Sequence, residues 1–243
     1  MCFDSDSAPP IPRIAGAAVS HDDLTLTAAD GNAFAAFLAA PDEGAATGVV
    51  ILPDVRGLYR FYEELALRFA ERGYAAVAFD YFGRSAGTAK RGDDFEYMPH
   101  VEQTTPETVQ LDTRAAVERL RQDGIDSIFT VGFCFGGRNS WLASASGHGL
   151  RGAVGYYGHP GAVIEHIPAM EAPILALQAG EDARITPFIN SVFDAALKIG
   201  GIEHEVVTYD GAPHSFFDRK QADFQAASDD AWQRTLAFIA HYA

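Results

Sequence analysis

The stretch from Gly132 to Gly137 has the composition of a turn that presents a reactive side chain. A β-branched and aromatic run leads into G-x-C-x-G-G, and helix-forming residues follow, which places Cys134 at a strand–turn–helix junction. A side chain two residues away on either side would collide with the neighbouring strand and helix, and glycine relieves both contacts. The dipole at a helix N-terminus favours a thiolate. The pattern predicts a nucleophilic cysteine, and the alternative is a buried structural one.

Two polar residues follow the last two predicted strands. Asp182, preceded by Glu181, comes after the apolar run PILALQAG, and His214 comes shortly after HEVVTYD. Each residue alone has an ordinary explanation, because turn carboxylates are often solvated and loop histidines are often incidental. The chain order Cys134, Asp182, His214 is the order nucleophile, acid, base of α/β-hydrolases. Together the three residues predict a catalytic triad built on cysteine.

No other motif in the sequence competes with this set. The remaining histidines have no partner at a strand end, and none belongs to an H-E-x-x-H motif, so a zinc hydrolase is not indicated. The sequence contains neither a Walker lysine motif nor a G-x-G-x-x-G dinucleotide fingerprint. We therefore expect the chemistry to need no metal and no organic cofactor.

The order of predicted elements indicates how these residues come together. A hairpin signal at Asp30–Gly31 is followed by buried strand patterns that alternate with helical patterns. This order predicts an α/β fold with a mostly parallel central sheet, helices on both faces and an N-terminal hairpin. The carboxyl ends of parallel strands share one edge of the sheet, where ligands bind. Residues 81–104 are long for a loop and form a candidate lid, with Phe95 and Tyr97 as candidate caps.

Charge and composition exclude several classes of protein. The 243 residues carry a formal net charge of −15, without a basic cluster, so we expect no nucleic-acid partner. The hydrophobic fraction of 48% is enough for a core, and we expect one domain over residues 1–243 with residues 1–20 as a surface arm. Two cysteines, no long apolar run and no signal-peptide pattern predict a cytoplasmic protein without a membrane anchor. A monomer or a small homo-oligomer is expected.

The motifs resemble those of the dienelactone hydrolase (carboxymethylenebutenolidase) family. The resemblance covers roughly residues 20–240 and rests on GFCFGG, AGEDARITP, GAPHSFF, PDVRGL and FDYFGR. It implies the α/β-hydrolase fold, with Cys134 as the nucleophile, Asp182 as the acid and His214 as the base. It also implies an oxyanion hole made by the backbone N–H groups of Phe135 and Val55.

Departures from the family pattern concern substrate binding. Asp54 falls where the family places a glutamate that contacts the resting thiol; one methylene shorter, it would need a shifted backbone or a bridging water. Arg84 matches an arginine that holds the substrate carboxylate, and the alternative is an ion pair, for instance with Asp80 or Asp54. The family's second such arginine lies four residues beyond the histidine. Here that position is Asp218, and the arginine is Arg219.

The expected function is hydrolysis of a small-molecule ester or lactone, with or without a carboxylate, through an acyl-enzyme on Cys134. Tyr156 and Tyr157 follow a predicted strand and either line the pocket or belong to the core. One alternative is a general carboxylesterase or thioesterase that acts on a different acyl substrate. More remote alternatives are a thiol redox sensor, for which Cys2 would be a poor resolving partner, and a silent binding module.

Overall fold

Eight strands form one mixed sheet in the computed structural model, which describes residue 4 and residues 6–92 and 94–243. Numbered along the chain, they are β1 (Val19–Thr27), β2 (Ala33–Pro41), β3 (Thr47–Leu52), β4 (Ala75–Phe79), β5 (Ser127–Phe133), β6 (Gly152–Tyr156), β7 (Ile174–Glu181) and β8 (His204–Pro213). Their spatial order is β1-β2-β4-β3-β5-β6-β7-β8. All pairs from β4 to β8 are parallel, so the carboxyl ends of these strands meet at one edge.

β1 and β2 form the predicted N-terminal hairpin. The two strands pair antiparallel, and β2 pairs antiparallel with β4. The connecting turn contains Gly31 at a φ of 84°, a left-handed conformation that glycine adopts without a steric cost. Across the turn, the Ala28 N–H donates to the Asn32 carbonyl oxygen at 2.8 Å. The hairpin therefore extends an otherwise parallel sheet at one side.

Helices cover both faces of the sheet, as the sequence predicts. On one face α1 (Arg60–Ala70) and α7 (Gln225–Tyr242) bury Phe61, Phe69 and Trp232 in a common cluster. The other face is covered by α4 (Pro106–Gln122), α5 (Phe135–Ser144) and α6 (Pro187–Ile199). Every residue of β3 and β4 is buried, because both of their faces are covered. None of the helices in the described part of the chain has both the length and the apolar character to cross a membrane.

The N-terminal arm is more buried than the sequence suggests. Residues 7–11 are buried, whereas residues 12–16 are exposed. The Arg219 N–H donates to the Ala8 carbonyl oxygen at 3.0 Å, and the Asp218 carboxylate accepts a hydrogen bond from the Ala8 N–H. The expected surface arm is thus partly wrong, because this segment packs against the loop that follows β8. Residues 1–3 and 5, including Cys2, lie outside the described residues, and the single-domain organisation stays a prediction.

The 81–104 segment has short helices of its own. It contains α2 (Gly83–Ala86) and α3 (Met98–Val101). An ion pair of 2.8 Å joins Arg91 to the buried carboxylate of Asp80, and the Phe95 ring stacks on His100 with centroids 5.0 Å apart. Phe95 and Tyr97 pack against the cluster under α4. These contacts attach the segment to the body of the fold, and its role as a lid stays a prediction.

Candidate active site

The turn between β5 and α5 holds Cys134 in a strained conformation. Its φ is 53° and its ψ is −109°, a region that residues with a side chain rarely occupy. A Cβ at Gly132 would lie 2.0 Å from the Gly136 carbonyl oxygen, and a Cβ at Gly136 would lie 2.0 Å from the Leu52 carbonyl oxygen. The two glycines are therefore needed for the end of β3, the turn and the first turn of α5 to pack together. This is the steric reason that the sequence pattern indicates.

Asp182 and His214 meet at the same edge of the sheet. Asp182 directly follows β7, and His214 directly follows β8. The His214 Nδ1 is hydrogen-bonded to the Asp182 Oδ2. The other carboxylate oxygen of Asp182 accepts hydrogen bonds from the N–H groups of Arg184 at 2.9 Å and Ile185 at 3.2 Å. Although burial opposes the charged form, the bond to His214 and these N–H groups lower the pKa of Asp182.

The Cys134 side chain completes this set of three. It is hydrogen-bonded to the His214 imidazole, whose ring also packs on Tyr157 with centroids 5.0 Å apart. Burial disfavours the imidazolium, but the hydrogen bonds and negative charges of Asp182 and Cys134 outweigh it and raise the pKa of His214 to about 9. In proteins generally, a positively charged imidazole beside a cysteine favours the thiolate, which is the reactive form of that side chain.

The two expected oxyanion donors lie on either side of the turn. The Phe135 N–H belongs to the first turn of α5, where backbone donors have no partner within the helix. Val55 follows β3, and the crowding of Gly136 by the carbonyl oxygens of Leu52 and Pro53 shows how closely that segment approaches α5. Their joint action on a substrate oxygen stays a prediction.

Asp54, at the position where the family places a glutamate, is bound by neighbouring side chains. Its carboxylate is buried and accepts hydrogen bonds from Arg56 Nε at 3.2 Å, Arg56 Nη2 at 2.8 Å and the Tyr59 hydroxyl at 3.2 Å. Within the described residues it makes no hydrogen bond to Cys134. The short side chain is turned towards the guanidinium two residues later in the chain, which satisfies both of its oxygens. The sequence puts a direct contact of Asp54 with the resting thiol in doubt, and the structure shows an ion pair with Arg56.

The structure favours the ion-pair alternative for Arg84. Its guanidinium contacts the Asp112 carboxylate at 2.6 and 3.0 Å and the Asp30 carboxylate at 2.8 and 3.0 Å. Asp112 lies on α4 and is buried, whereas Asp30 lies in the β1–β2 turn. The partners differ from Asp80 and Asp54, which the sequence suggests. Because two carboxylates already bind Arg84, it fits a structural role better than recognition of a substrate anion.

Two further candidates for substrate binding lie elsewhere. Tyr156 is fully buried, and its hydroxyl contacts the Thr235 hydroxyl at 2.7 Å, so the core alternative is correct. The Arg219 side chain is exposed and lines a cleft of about 500 Å³ beside the N-terminal arm, together with Arg60 and Arg68. The structure thus places Arg219 next to the arm and gives no contact between it and the triad.

Sequence reasoning missed the positions of two arginines. Arg56 stands within the quoted motif PDVRGL, but the sequence does not show that it binds Asp54. Arg138 lies four residues after Cys134, hence on the same side of α5, one helical turn away. That spacing is a signal in the sequence, but it identifies a neighbour only once the helix is placed.

Comparison with known proteins supports the same family. The model of the dienelactone hydrolase family matches residues 34–243. A carboxymethylenebutenolidase from Rhodococcus opacus is 29% identical, and the alignment covers 100% of this chain and 97% of that protein.

Two solved structures share the fold. A dienelactone hydrolase-like promiscuous phosphotriesterase from metagenomic libraries matches with a TM-score of 0.78 at 18% identity, covering 93% of this chain and 99% of that one. An esterase from Pyrococcus furiosus matches with a TM-score of 0.69 at 16% identity, covering 95% and 98%. With its α/β-hydrolase fold, the chain belongs to the dienelactone hydrolase family and is a hydrolase similar to carboxymethylenebutenolidase.

Proposed function

We propose that the protein hydrolyses an ester or lactone with Cys134 as the nucleophile, Asp182 as the acid and His214 as the base. The observation that carries the proposal is the position of the His214 imidazole, which is hydrogen-bonded to both Asp182 and Cys134. The strained turn at Cys134 adds support, because such conformations concentrate at functional sites. Family membership supports the substrate class.

The first half of the reaction forms an acyl-enzyme. The Cys134 sulfur attacks the carbonyl carbon, and the carbonyl oxygen takes up negative charge between the N–H groups of Phe135 and Val55. The carbon–oxygen bond to the leaving alcohol then breaks, and the His214 imidazolium gives its proton to that oxygen. In a lactone, the alcohol stays attached to the acyl group. Asp182 orients the imidazole and stabilises its charged form.

The second half releases the acid. Water attacks the thioester carbon while neutral His214 accepts a proton from it, and the Cys134 thiolate leaves. The thiolate–imidazolium pair is thereby restored. Each group acts twice, which explains why the imidazole must contact both the carboxylate and the thiol.

A second candidate is a general carboxylesterase or thioesterase. The observation that favours it is the binding of Arg84 by two carboxylates, which removes the cation that the family resemblance assigns to a substrate carboxylate. The same triad serves either reaction, so only the acyl substrate separates the two.

A substrate panel tests the proposal. We expect the protein to hydrolyse at least one member of a set made of a dienelactone, neutral 4-nitrophenyl esters and an acyl thioester. Cys134→Ala should abolish this activity, whereas Cys2→Ala, which removes the other cysteine of the chain, should retain it. Near-normal turnover by Cys134→Ala would overturn the proposal. Oxidation of Cys134 by mild peroxide without any hydrolysis of the panel would instead support a redox sensor.

A further inference from the structure

The arginines of this chain differ in whether an acceptor binds them. Arg56, Arg84 and Arg91 are held by carboxylates near the carboxyl edge of the sheet. In residues 6–92 and 94–243, Arg138 is the half-buried arginine whose side chain has neither an ion-pair partner nor a hydrogen-bond acceptor. Among the same described residues, three other arginines also lack such an acceptor, and all of them are exposed: Arg13, Arg184 and Arg219.

Contacts with the protein position the Arg138 guanidinium beside the nucleophile. Its carbon lies 4.7 Å from the centroid of the Phe135 ring, the residue that follows Cys134. That ring in turn packs on Tyr81 with centroids 5.1 Å apart. Arg138 also interacts electrostatically with Cys134, so the guanidinium lies within electrostatic reach of the thiol. Aromatic packing therefore fixes the plane of the guanidinium and leaves its N–H groups available.

A half-buried cation without an acceptor is costly to the free protein. Burial lowers the pKa of Arg138, which expresses the loss of hydration of its charge. The chain carries a net charge of −15, and the residues that the structure describes supply carboxylates to other arginines, yet none to Arg138. An anion that arrives with the substrate would give these N–H groups a charged acceptor. It would also overcome locally the long-range repulsion from an acidic protein.

We propose that Arg138 binds a carboxylate carried by the substrate and so determines specificity for anionic esters or lactones. The planar guanidinium offers two parallel N–H donors that match the two oxygens of a carboxylate. This inference rests on the proposed function, because it takes Cys134 as the attacking group. Arg138 replaces Arg84 in this role, and Phe135 serves both as its support and as an oxyanion donor.

Alkylation of Cys134 tests the anion site without requiring turnover. The thiolate sulfur displaces iodide from either iodoacetate or iodoacetamide, two reagents of similar size that differ in negative charge. Peptide mass spectrometry gives the ratio of the iodoacetate rate to the iodoacetamide rate at Cys134. This ratio should fall about tenfold in Arg138→Gln, as expected for loss of a charge-assisted hydrogen bond. Arg13→Gln is the matched control, because it removes an exposed cation and should leave the ratio unchanged.

The iodoacetamide rate also shows whether the variant keeps a folded site. Arg138→Lys, which retains the charge but not the fork of donors, should give a ratio between those of the wild type and Arg138→Gln. An unchanged ratio in Arg138→Gln would overturn the proposal. If the ratio stays unchanged because both rates fall equally, Arg138 acts on the reactivity of the Cys134 thiolate and not on an incoming anion.

A pair of esters then tests specificity. The 4-nitrophenyl monoester of glutaric acid and 4-nitrophenyl valerate have acyl chains of equal length and differ by a terminal carboxylate. Arg138→Gln should lower kcat/KM for the glutarate ester by about 10- to 100-fold, mainly through KM, and leave the valerate ester almost unaffected. Equal losses on both esters would contradict the specificity role. Retained hydrolysis by Cys134→Ala would instead contradict the proposed function, so the two failures are distinguishable.

Discussion

Two carboxylates near Cys134 are bound in opposite ways. Asp182, after β7, is bonded to an imidazole that can take up and give away a proton within the ordinary pH range. Asp54, after β3, is bonded by the Arg56 guanidinium, which stays charged under all such conditions. Both carboxylates lie at the carboxyl edge of the sheet. Their partners, and not their position, decide which carboxylate can support proton transfer.

We expect the two pairs to have different roles, one in proton transfer and the other in holding the backbone. The Asp182–His214 pair raises the affinity of the imidazole for a proton, and the proposed reaction uses this imidazole in both halves. The Asp54–Arg56 pair fixes the segment that carries Val55, the expected oxyanion donor. We therefore expect substitutions of the two carboxylates to have different effects on catalysis and on stability.

Asp182→Asn should have the larger effect on catalysis. The amide is nearly isosteric with the carboxylate, but it cannot stabilise an imidazolium and can favour the wrong tautomer. We expect kcat to fall by about 10³- to 10⁴-fold on any substrate, by analogy with triads in other hydrolases. Steady-state kinetics on the most active ester measures this loss. A decrease of less than tenfold would show that His214 works without Asp182.

Asp54→Asn should have the larger effect on stability. It removes the partner of a mostly buried guanidinium, and we expect the free energy of unfolding to fall by about 3 kcal/mol. Urea unfolding measures this change, with kcat/KM determined on the same preparation. A variant of unchanged stability that loses as much activity as Asp182→Asn would place Asp54 in the chemistry and would erase the distinction between the two carboxylates.

The pH dependence of His214 provides a third test. Its pKa in the folded protein is about 9, above the ordinary value of 6.5. The resulting stabilisation is fully present below the unfolded value and is lost as the pH rises through the folded one. Relative to His214→Asn, the free energy of unfolding should therefore decrease by about 2–3 kcal/mol between about pH 6 and pH 10. NMR titration of the imidazole checks the pKa directly, and a value near 6.5 would contradict the coupling to Asp182 and Cys134.

The sequence predicts the fold well, and it also identifies Cys134, Asp182 and His214, which the structure brings together, because both depend on local patterns. Buried strand patterns that alternate with helical ones define the sheet, and the residues that follow parallel strands must share an edge. Glycines two residues before and after Cys134 show the tight turn, because no other residue fits there. Asp182 and His214 directly follow their strands, so their meeting follows from the sheet order alone.

The partners of long side chains were beyond prediction because they come from distant parts of the chain. Arg84 is bound by Asp112 on α4 and by Asp30 in the hairpin turn, which only the packed structure brings together. Tyr156 ends a strand, yet its hydroxyl points to Thr235 on α7. The lack of an acceptor for Arg138 is equally invisible in a sequence, since it depends on every residue around it.

Arg84→Gln should have the smallest effect on catalysis. The glutamine can keep one hydrogen bond to the buried Asp112, and we expect a loss of about 1–2 kcal/mol in the free energy of unfolding. The ratio of kcat/KM for the glutarate and valerate esters should remain that of the wild type. If that ratio fell as strongly as in Arg138→Gln, Arg84 would regain the role that the family resemblance assigns to it.

The acyl-enzyme tests the central claim most directly. The protein is mixed with 4-nitrophenyl valerate, quenched with acid during turnover and digested, and the peptides are analysed by mass spectrometry. We predict a valeryl group on the peptide that contains Cys134, labile to hydroxylamine as a thioester is, and no such adduct in Cys134→Ala. An acyl group on a different residue, or undiminished turnover by Cys134→Ala, would contradict the assignment of Cys134 as the nucleophile.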